Sequence, residues 1–304
     1  MLATAFETVD VFTTQRFGGN QLAVITDARG LSGEQMQLIA REFHYSETTF
    51  VLPPQEADNS AQVRIFTPVN EIPFAGHPNI GTAFVLGRRE NVFGQSTSES
   101  LRFEEGAGLV SVDLLRQQGS LVGARVKAPR RLEVIASIEI EIFARCISLH
   151  TCDIATDAHE PTMVSVGLPF VVAETKLDGL RRARPDFAAF AAADRAYPHA
   201  ADRFSIFLYT RTGDGIERLQ ARMFAPLNNI WEDPATGSAS AALGAYLTLL
   251  DPRPDVDLEI AITQGVKMGR PSAIEVGVRK RAGCVLDVTL SGFCVPVMQG
   301  TIKM

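Results

Sequence analysis

Four side chains stand in settings that could move protons and hold an anion. Glu47 lies in Y-S-E-T-T-F-V, at the mouth of a run of apolar and β-branched residues that reads as a strand. A carboxylate there is expected to be partly buried, which raises its pKa and suits it to shuttle a proton near neutral pH. A strand-end glutamate bonded to neighbouring amides is the plainer alternative. His77 stands in G-H-P-N-I-G-T-A, and Asp233 and Ser238 stand in E-D-P-A-T-G-S-A. Each segment sets proline and small residues just ahead of an alanine-rich helix. An opening helix leaves several N–H groups unpaired, and residues as small as Gly76 and Gly237 let a carboxylate approach them. Prolines that merely start helices, with glycines for close packing, would give the same letters.

The elements that carry these residues occur twice. Arg64 to Asn70 read R-I-F-T-P-V-N and Arg222 to Asn228 read R-M-F-A-P-L-N; His77 to Ala83 and Asp233 to Ala239 follow in the same order. Offsets of 158 and 156 positions leave one small indel between the copies. Weaker echoes join Gly19–Val24 to Gly167–Val172, Gly30-Leu31 to Gly179-Leu180, and Glu104-Glu105-Gly106 to Thr263-Gln264-Gly265. A period of half the chain is too long for a solenoid and points to two similar lobes. Because His77 in one copy is Asp233 in the other, the two lobes are expected to share one asymmetric site in a cleft between them.

Strands are expected over Thr8–Phe12, Leu22–Ile25, Glu47–Leu52, Gln62–Phe66, Leu109–Leu114 and Gly123–Val126. An amphipathic helix is expected over Ser32–Phe43, with Ser32 as N-cap and Gln35 as its capping-box partner. A second helix is expected from about Asn79 to Gly87. The other half is expected to repeat this with strands at Val164–Val166, Phe170–Ala173, Phe204–Thr210, Arg218–Phe224, Asp257–Ile262, Ala273–Arg279 and Cys284–Leu290. Its helices are expected over Pro185–Arg195 and from Pro234 to about Leu250. The stretch V-K-A-P-R-R around Lys127 to Pro129 reads as a linker. It divides a lobe of residues 1–127 from one of residues 128–294, and residues 295–304 are expected to cross back to the first.

Composition narrows the function classes. The 304 residues are 46% hydrophobic and 21% charged, ordinary for a globular protein large enough for two cores. A net charge of -6 argues against nucleic acid as the main partner. The arginines at 130–131 and at 181, 182 and 184 read as solvated faces. The first ten residues carry acids and alternate like a strand, unlike a signal peptide, and no apolar run approaches the ~18 residues of a membrane span. Cys146, Cys152, Cys284 and Cys294 show no C-x-x-C spacing, and the five histidines are scattered. A cytoplasmic protein with reduced cysteines and no structural metal is expected.

Taken together, R-I-F-T-P-V-N-E-I-P-F-A-G-H-P-N-I-G-T-A, E-D-P-A-T-G-S-A, S-E-T-T-F-V and the G-N-x-x-A-V turn resemble the phenazine-biosynthesis PhzF-like isomerase family over nearly the whole chain. The resemblance implies an α+β fold of the diaminopimelate epimerase type, two pseudo-symmetric lobes each with a β-sheet curled around a central helix. It implies that Glu47 is the catalytic acid/base, that His77 and Asp233 bind substrate or help move protons, and that Ser238 binds substrate. Gly76, Gly237 and the neighbouring Thr236 would frame the backbone amides. Gln21 departs from the family's proline after G-N and is expected to tune the loop or add a pocket contact. The paired thiols of the epimerase relatives are not at the corresponding places.

The reaction expected is a proton shift on a small carboxylated substrate, similar to isomerisation of trans-2,3-dihydro-3-hydroxyanthranilate. A proton shift leaves the oxidation state unchanged, so no cofactor is expected, and neither a G-x-G-x-x-G nor a P-loop pattern occurs. Two other classes stay open: an epimerase or racemase using Glu47 with Asp233, and a non-catalytic protein-binding member of the family. The partners expected are the substrate and, as an open option, a second copy of the chain as a homodimer, with no nucleic acid and no membrane.

Overall fold

The structure, a computed structural model, describes residues 3–199 and 202–303; Met1, Leu2 and Met304, which the sequence places in the terminal strands, lie outside the described residues. Two compact units divide the chain. One takes the residues up to Lys127 and those from Leu290 on, and the other takes Ala128–Thr289.

In the first unit the strands are Ala3–Val11, Asn20–Ile25, Glu47–Leu52, Ala61–Phe66, Ser100–Glu105, Gly108–Gln117 and Ser120–Lys127. Neighbours pair in that order: antiparallel, parallel, antiparallel, parallel, antiparallel, antiparallel. The strand Cys284–Lys303 pairs with both the last and the first of them, so this run of strands closes on itself. Each parallel pair needs a crossover. Helix α1 (Gly33–Phe43) supplies one and turns Met36, Ile39 and Ala40 onto Ile25, Phe50 and Phe66. Helix α2 (Gly76–Gly87) supplies the other. All twelve of its residues are buried, and it packs against the strands Ala3–Val11, Asn20–Ile25, Gly108–Gln117 and Ser120–Lys127. A helix that is apolar all round belongs inside a core; here the core is the hollow of the curled sheet.

The second unit repeats the pattern. Thr162–Ser165, Pro169–Thr175, Ile206–Arg211, Arg218–Ala225, Val256–Gln264 and Ser272–Arg281 pair antiparallel, parallel, antiparallel, parallel and antiparallel. The first part of Cys284–Lys303 comes next in the order. After α3 (Ile140–Cys146), helices α4 (Leu177–Arg182) and α5 (Phe187–Ala196) fill the first crossover, and α6 (Gly237–Leu250) fills the second. Eleven residues of α6 are buried.

Several boundaries differ from those the sequence implies. Helix α2 starts at Gly76, not Asn79, so His77 and Pro78 sit inside its first turn; proline is tolerated there because its missing N–H has no helical partner to lose. Helix α5 starts after Asp186, whose side chain accepts from Ala189 N, and not at Pro185. The segments Cys284–Leu290 and Val295–Ile302 are one strand of 20 residues. Gly292 between them marks a close approach, since a Cβ there would stand 2.2 Å from Phe12 Cδ1. The Gly30/Gly179 echo is not structural: Gly30 turns at φ 84°, whereas Gly179 lies within α4. Helices α3 and α4 and the strand Glu133–Ser137 carry no periodic signal long enough to stand out. All four cysteines are free, with Cys146 and Cys294 buried. Among the described residues no helix is long and apolar enough to cross a membrane.

Candidate functional site

In the first unit, Glu47 is the first residue of its strand, opposite Leu22 in the parallel pair. His77 occupies the second position of α2. The strand and helix are tied by a buried bond between the Thr49 and Thr82 hydroxyls, 2.8 Å apart. This brings Glu47 Oε2 to 3.4 Å from His77 Nε2, with side-chain exposures of only 15% and 6%. The Gln21 backbone carbonyl accepts a hydrogen bond from the ring, but complete burial dominates and pushes the His77 pKa down to about 3. His77 is therefore a neutral imidazole. Gln21 meets His77 through its backbone.

Both helices open without a side-chain cap. Ala75 precedes α2 and Thr236 precedes α6, and neither side chain bonds a first-turn amide. By contrast, α1 is closed by the Ser32–Gln35 capping box and α5 by Asp186. A buried helix start left uncapped keeps forward-pointing N–H groups for something else. In α6 the first helical bond runs from Ser240 N to Thr236 O, which leaves the Gly237, Ser238 and Ala239 amides ahead of it. Ser238 is half-buried and, among the described residues, its hydroxyl takes no partner. Its counterpart in the repeat, Thr82, is the hydroxyl engaged by Thr49. The second unit therefore has a free hydroxyl where the first has a structural one.

Asp233 is buried and accepts a 2.5 Å bond from the Thr236 hydroxyl. Gln264, fully buried, clamps the same turn. Its Oε1 accepts from Thr236 N at 2.9 Å, and its Nε2 donates to Asp233 O at 2.7 Å and to Thr236 Oγ1 at 3.0 Å. Those bonds occupy the backbone groups that a longer helix would use, which explains why α6 begins four residues after Asp233 while α2 already contains His77. Gln264 was not singled out by residue type. The available signal was its place in the T-Q-G echo, opposite Glu105. Thr236 thus holds Asp233. The first unit brings together Glu47, His77, Gln21 and Gly76, and the second Asp233, Thr236, Gly237 and Ser238.

Residues 9–300 match the family model described as phenazine biosynthesis-like protein. The chain is similar to the trans-2,3-dihydro-3-hydroxyanthranilate isomerase of Pseudomonas chlororaphis, 36% identical over 297 residues that cover 97% of this chain and 98% of that one. It is 35% identical to an uncharacterized isomerase of Mesorhizobium japonicum, over 96% of both chains. Its fold matches the crystal structure of the Bacillus anthracis phenazine biosynthesis protein of the PhzF family with a TM-score of 0.86, at 25% identity and full coverage of both. With the family model spanning nearly its whole length, the chain belongs to the phenazine biosynthesis-like PhzC-PhzF family.

Proposed function

We propose that this protein is an isomerase that moves a proton on a small carboxylated substrate related to trans-2,3-dihydro-3-hydroxyanthranilate, with Glu47 as the acid/base. The observation that carries the proposal is the contact between Glu47 Oε2 and the neutral, buried His77 ring, 3.4 Å apart, beside an uncapped helix start. In the reaction the Glu47 carboxylate takes a proton from a carbon next to a conjugated system. The C–H electron pair shifts along that system, and protonated Glu47 returns the proton to a different carbon. One group thus makes both transfers, and no electrons leave the substrate. Neutral His77 adds no competing positive charge, and with its other ring nitrogen donating to the Gln21 carbonyl its Nε2 is an acceptor for the proton that Glu47 carries between the two transfers. The groups proposed to hold the substrate come from the second unit. The Ser238 hydroxyl and the Gly237 and Ser238 amides would take its carboxylate, and Asp233 would take an amine or hydroxyl. The isomerase relatives and the completeness of the residue set support this reading.

The test is incubation with trans-2,3-dihydro-3-hydroxyanthranilate in deuterated water, followed by proton NMR. Double-bond migration is expected, with Glu47→Gln slower by about 10²- to 10⁴-fold because general acid–base assistance is lost. Deuterium entering a stereocentre without double-bond movement would favour an epimerase instead. A Glu47→Gln variant as fast as the parent would remove Glu47 from the chemistry.

A further inference from the structure

The two units place one buried acid where the other has an amide. Gln62 pairs with Glu104 in the first sheet, and its repeat equivalent Gln220 pairs with Thr263 in the second. Glu105 and Gln264 are therefore counterparts by register, each ending its strand just before a glycine. Gln264 uses its amide to fix the residues ahead of α6. Both carboxyl oxygens of Glu105 are buried and, apart from the Asn79 amide, neither has a hydrogen-bond partner among the described residues. The side chain that acts on it is Asn79, in the first turn of α2. Asn79 Nδ2 donates to the Ala75 carbonyl at 3.0 Å, while Asn79 Oδ1 is buried with no partner. The hairpin tip after Glu105 is fastened to the same approach, with Ala107 N donating to Pro73 O at 3.0 Å. An ionised Glu105 could take an Asn79 amide hydrogen but would bury its charge in a dry place and leave Asn79 Oδ1 unfilled, a costly arrangement. A proton on Glu105 gives Asn79 Oδ1 a donor and answers both.

We propose that Glu105 works as a neutral acid, a positioning residue that grips Asn79 and so fixes the turn of α2 carrying Gly76 and His77, as Gln264 grips the turn ahead of α6. The importance of that turn rests on the reading of Glu47 and His77 given above. Burial raises the Glu105 pKa from an ordinary 4.5 to about 8, against a smaller opposing effect of Asn79. No charged group counters it. Neighbouring Glu104 is engaged by the Gln55 and Glu56 amides and by Asn59, and His77 is neutral.

The test compares the parent with Glu105→Gln and Glu105→Leu. A carboxyl protonated in the folded chain but ionised in the unfolded one adds stability that is complete below 4.5 and lost as pH rises through about 8. Since His77 opposes this trend below its ordinary 6.5, the isolating window runs from 6.5 to about 8. Across it, the melting temperature of the parent should fall more steeply than that of Glu105→Gln. This arm needs no substrate, so it stands even if the proposed reaction is wrong. The His77 ring ¹⁵N shifts should move in Glu105→Leu and return to parental values in Glu105→Gln. On trans-2,3-dihydro-3-hydroxyanthranilate, kcat should drop roughly tenfold or more in Glu105→Leu, the scale of an orphaned buried polar group, with Glu105→Gln near the parent. The alkaline loss of activity in the parent above about 8 should disappear in the Gln variant. Equal pH slopes in parent and Glu105→Gln, or His77 shifts displaced alike in both folded variants, would overturn the proposal.

Discussion

His77 shows how burial selects one protonation state for a residue. A histidine 3.4 Å from a glutamate in water would pair with it as a cation, but here desolvation outweighs the neighbouring acceptors and the ring stays neutral. The consequence for stability has a definite sign. Below 6.5 the unfolded chain binds a proton that folded His77 refuses, so stability is full above 6.5 and falls as the pH drops towards about 3. The parent should therefore lose up to ~1.4 kcal/mol per pH unit on that limb, and His77→Gln should flatten it, as read from urea midpoints between pH 6.5 and 5. A variant with the parental acid slope would mean that water reaches the ring. At this scale Glu47, His77, Asp233 and Ser238 were legible because each stands in a long, specific motif. Gln264 and Glu105 were not. Their significance lies in what they touch, and a glutamine or glutamate before a glycine looks the same on any hairpin.

Among the elements, α2, α3, α4 and α6 all start without a side-chain cap, and what sets α2 and α6 apart is that their uncapped starts are buried. Helices α1 and α5 close their own amides with Ser32 and Asp186, whereas α6 opens at Gly237, Ser238 and Ala239 without a side-chain cap. An anion should fill that place. Sulfate or phosphate is expected to raise the melting temperature, by an amount equivalent to ~2.7 kcal/mol at a hundredfold excess over Kd. Gly237→Val should abolish the effect by blocking close approach, and Ser238→Ala should weaken it. A parental melting temperature indifferent to sulfate, phosphate and small carboxylates would remove the anion site. The sequence began α6 three residues early, at Pro234, and α2 three residues late, at Asn79. Proline usually announces a first turn, yet the turn starts wherever the preceding backbone is not held elsewhere. Gln264 holds it in one copy, and in the other the helix runs back to Gly76.

For the whole molecule, the duplicated letters foretold two lobes because the same order of strands and crossovers recurs in each sheet. The sequence did not show that the final 20-residue strand is continuous, since Ser291-Gly292 reads as a break. Gly292 and Gly123 are there because two backbones and the Phe12 ring meet at that point; a Cβ on Gly123 would stand 2.1 Å from Gly292 O. Gly292→Ala should destabilise by about 1–3 kcal/mol or more, the cost of overpacking where backbone must shift. An unchanged denaturant midpoint would contradict the contact. The closing strand also sets a timetable. Ala3 pairs with Lys303, so the first sheet cannot become a ring until the last residues exist. On a ribosome adding roughly 5–20 residues per second, about 160 residues separate Lys127 from Leu290, and the open-edged strands wait roughly 8–30 s. The second unit, complete by Thr289, has all its strands first. The half of the protein that carries Glu47 is synthesised first and finished last, and through that interval its unpaired edges and the apolar surface of α2 depend on chaperones or on speed.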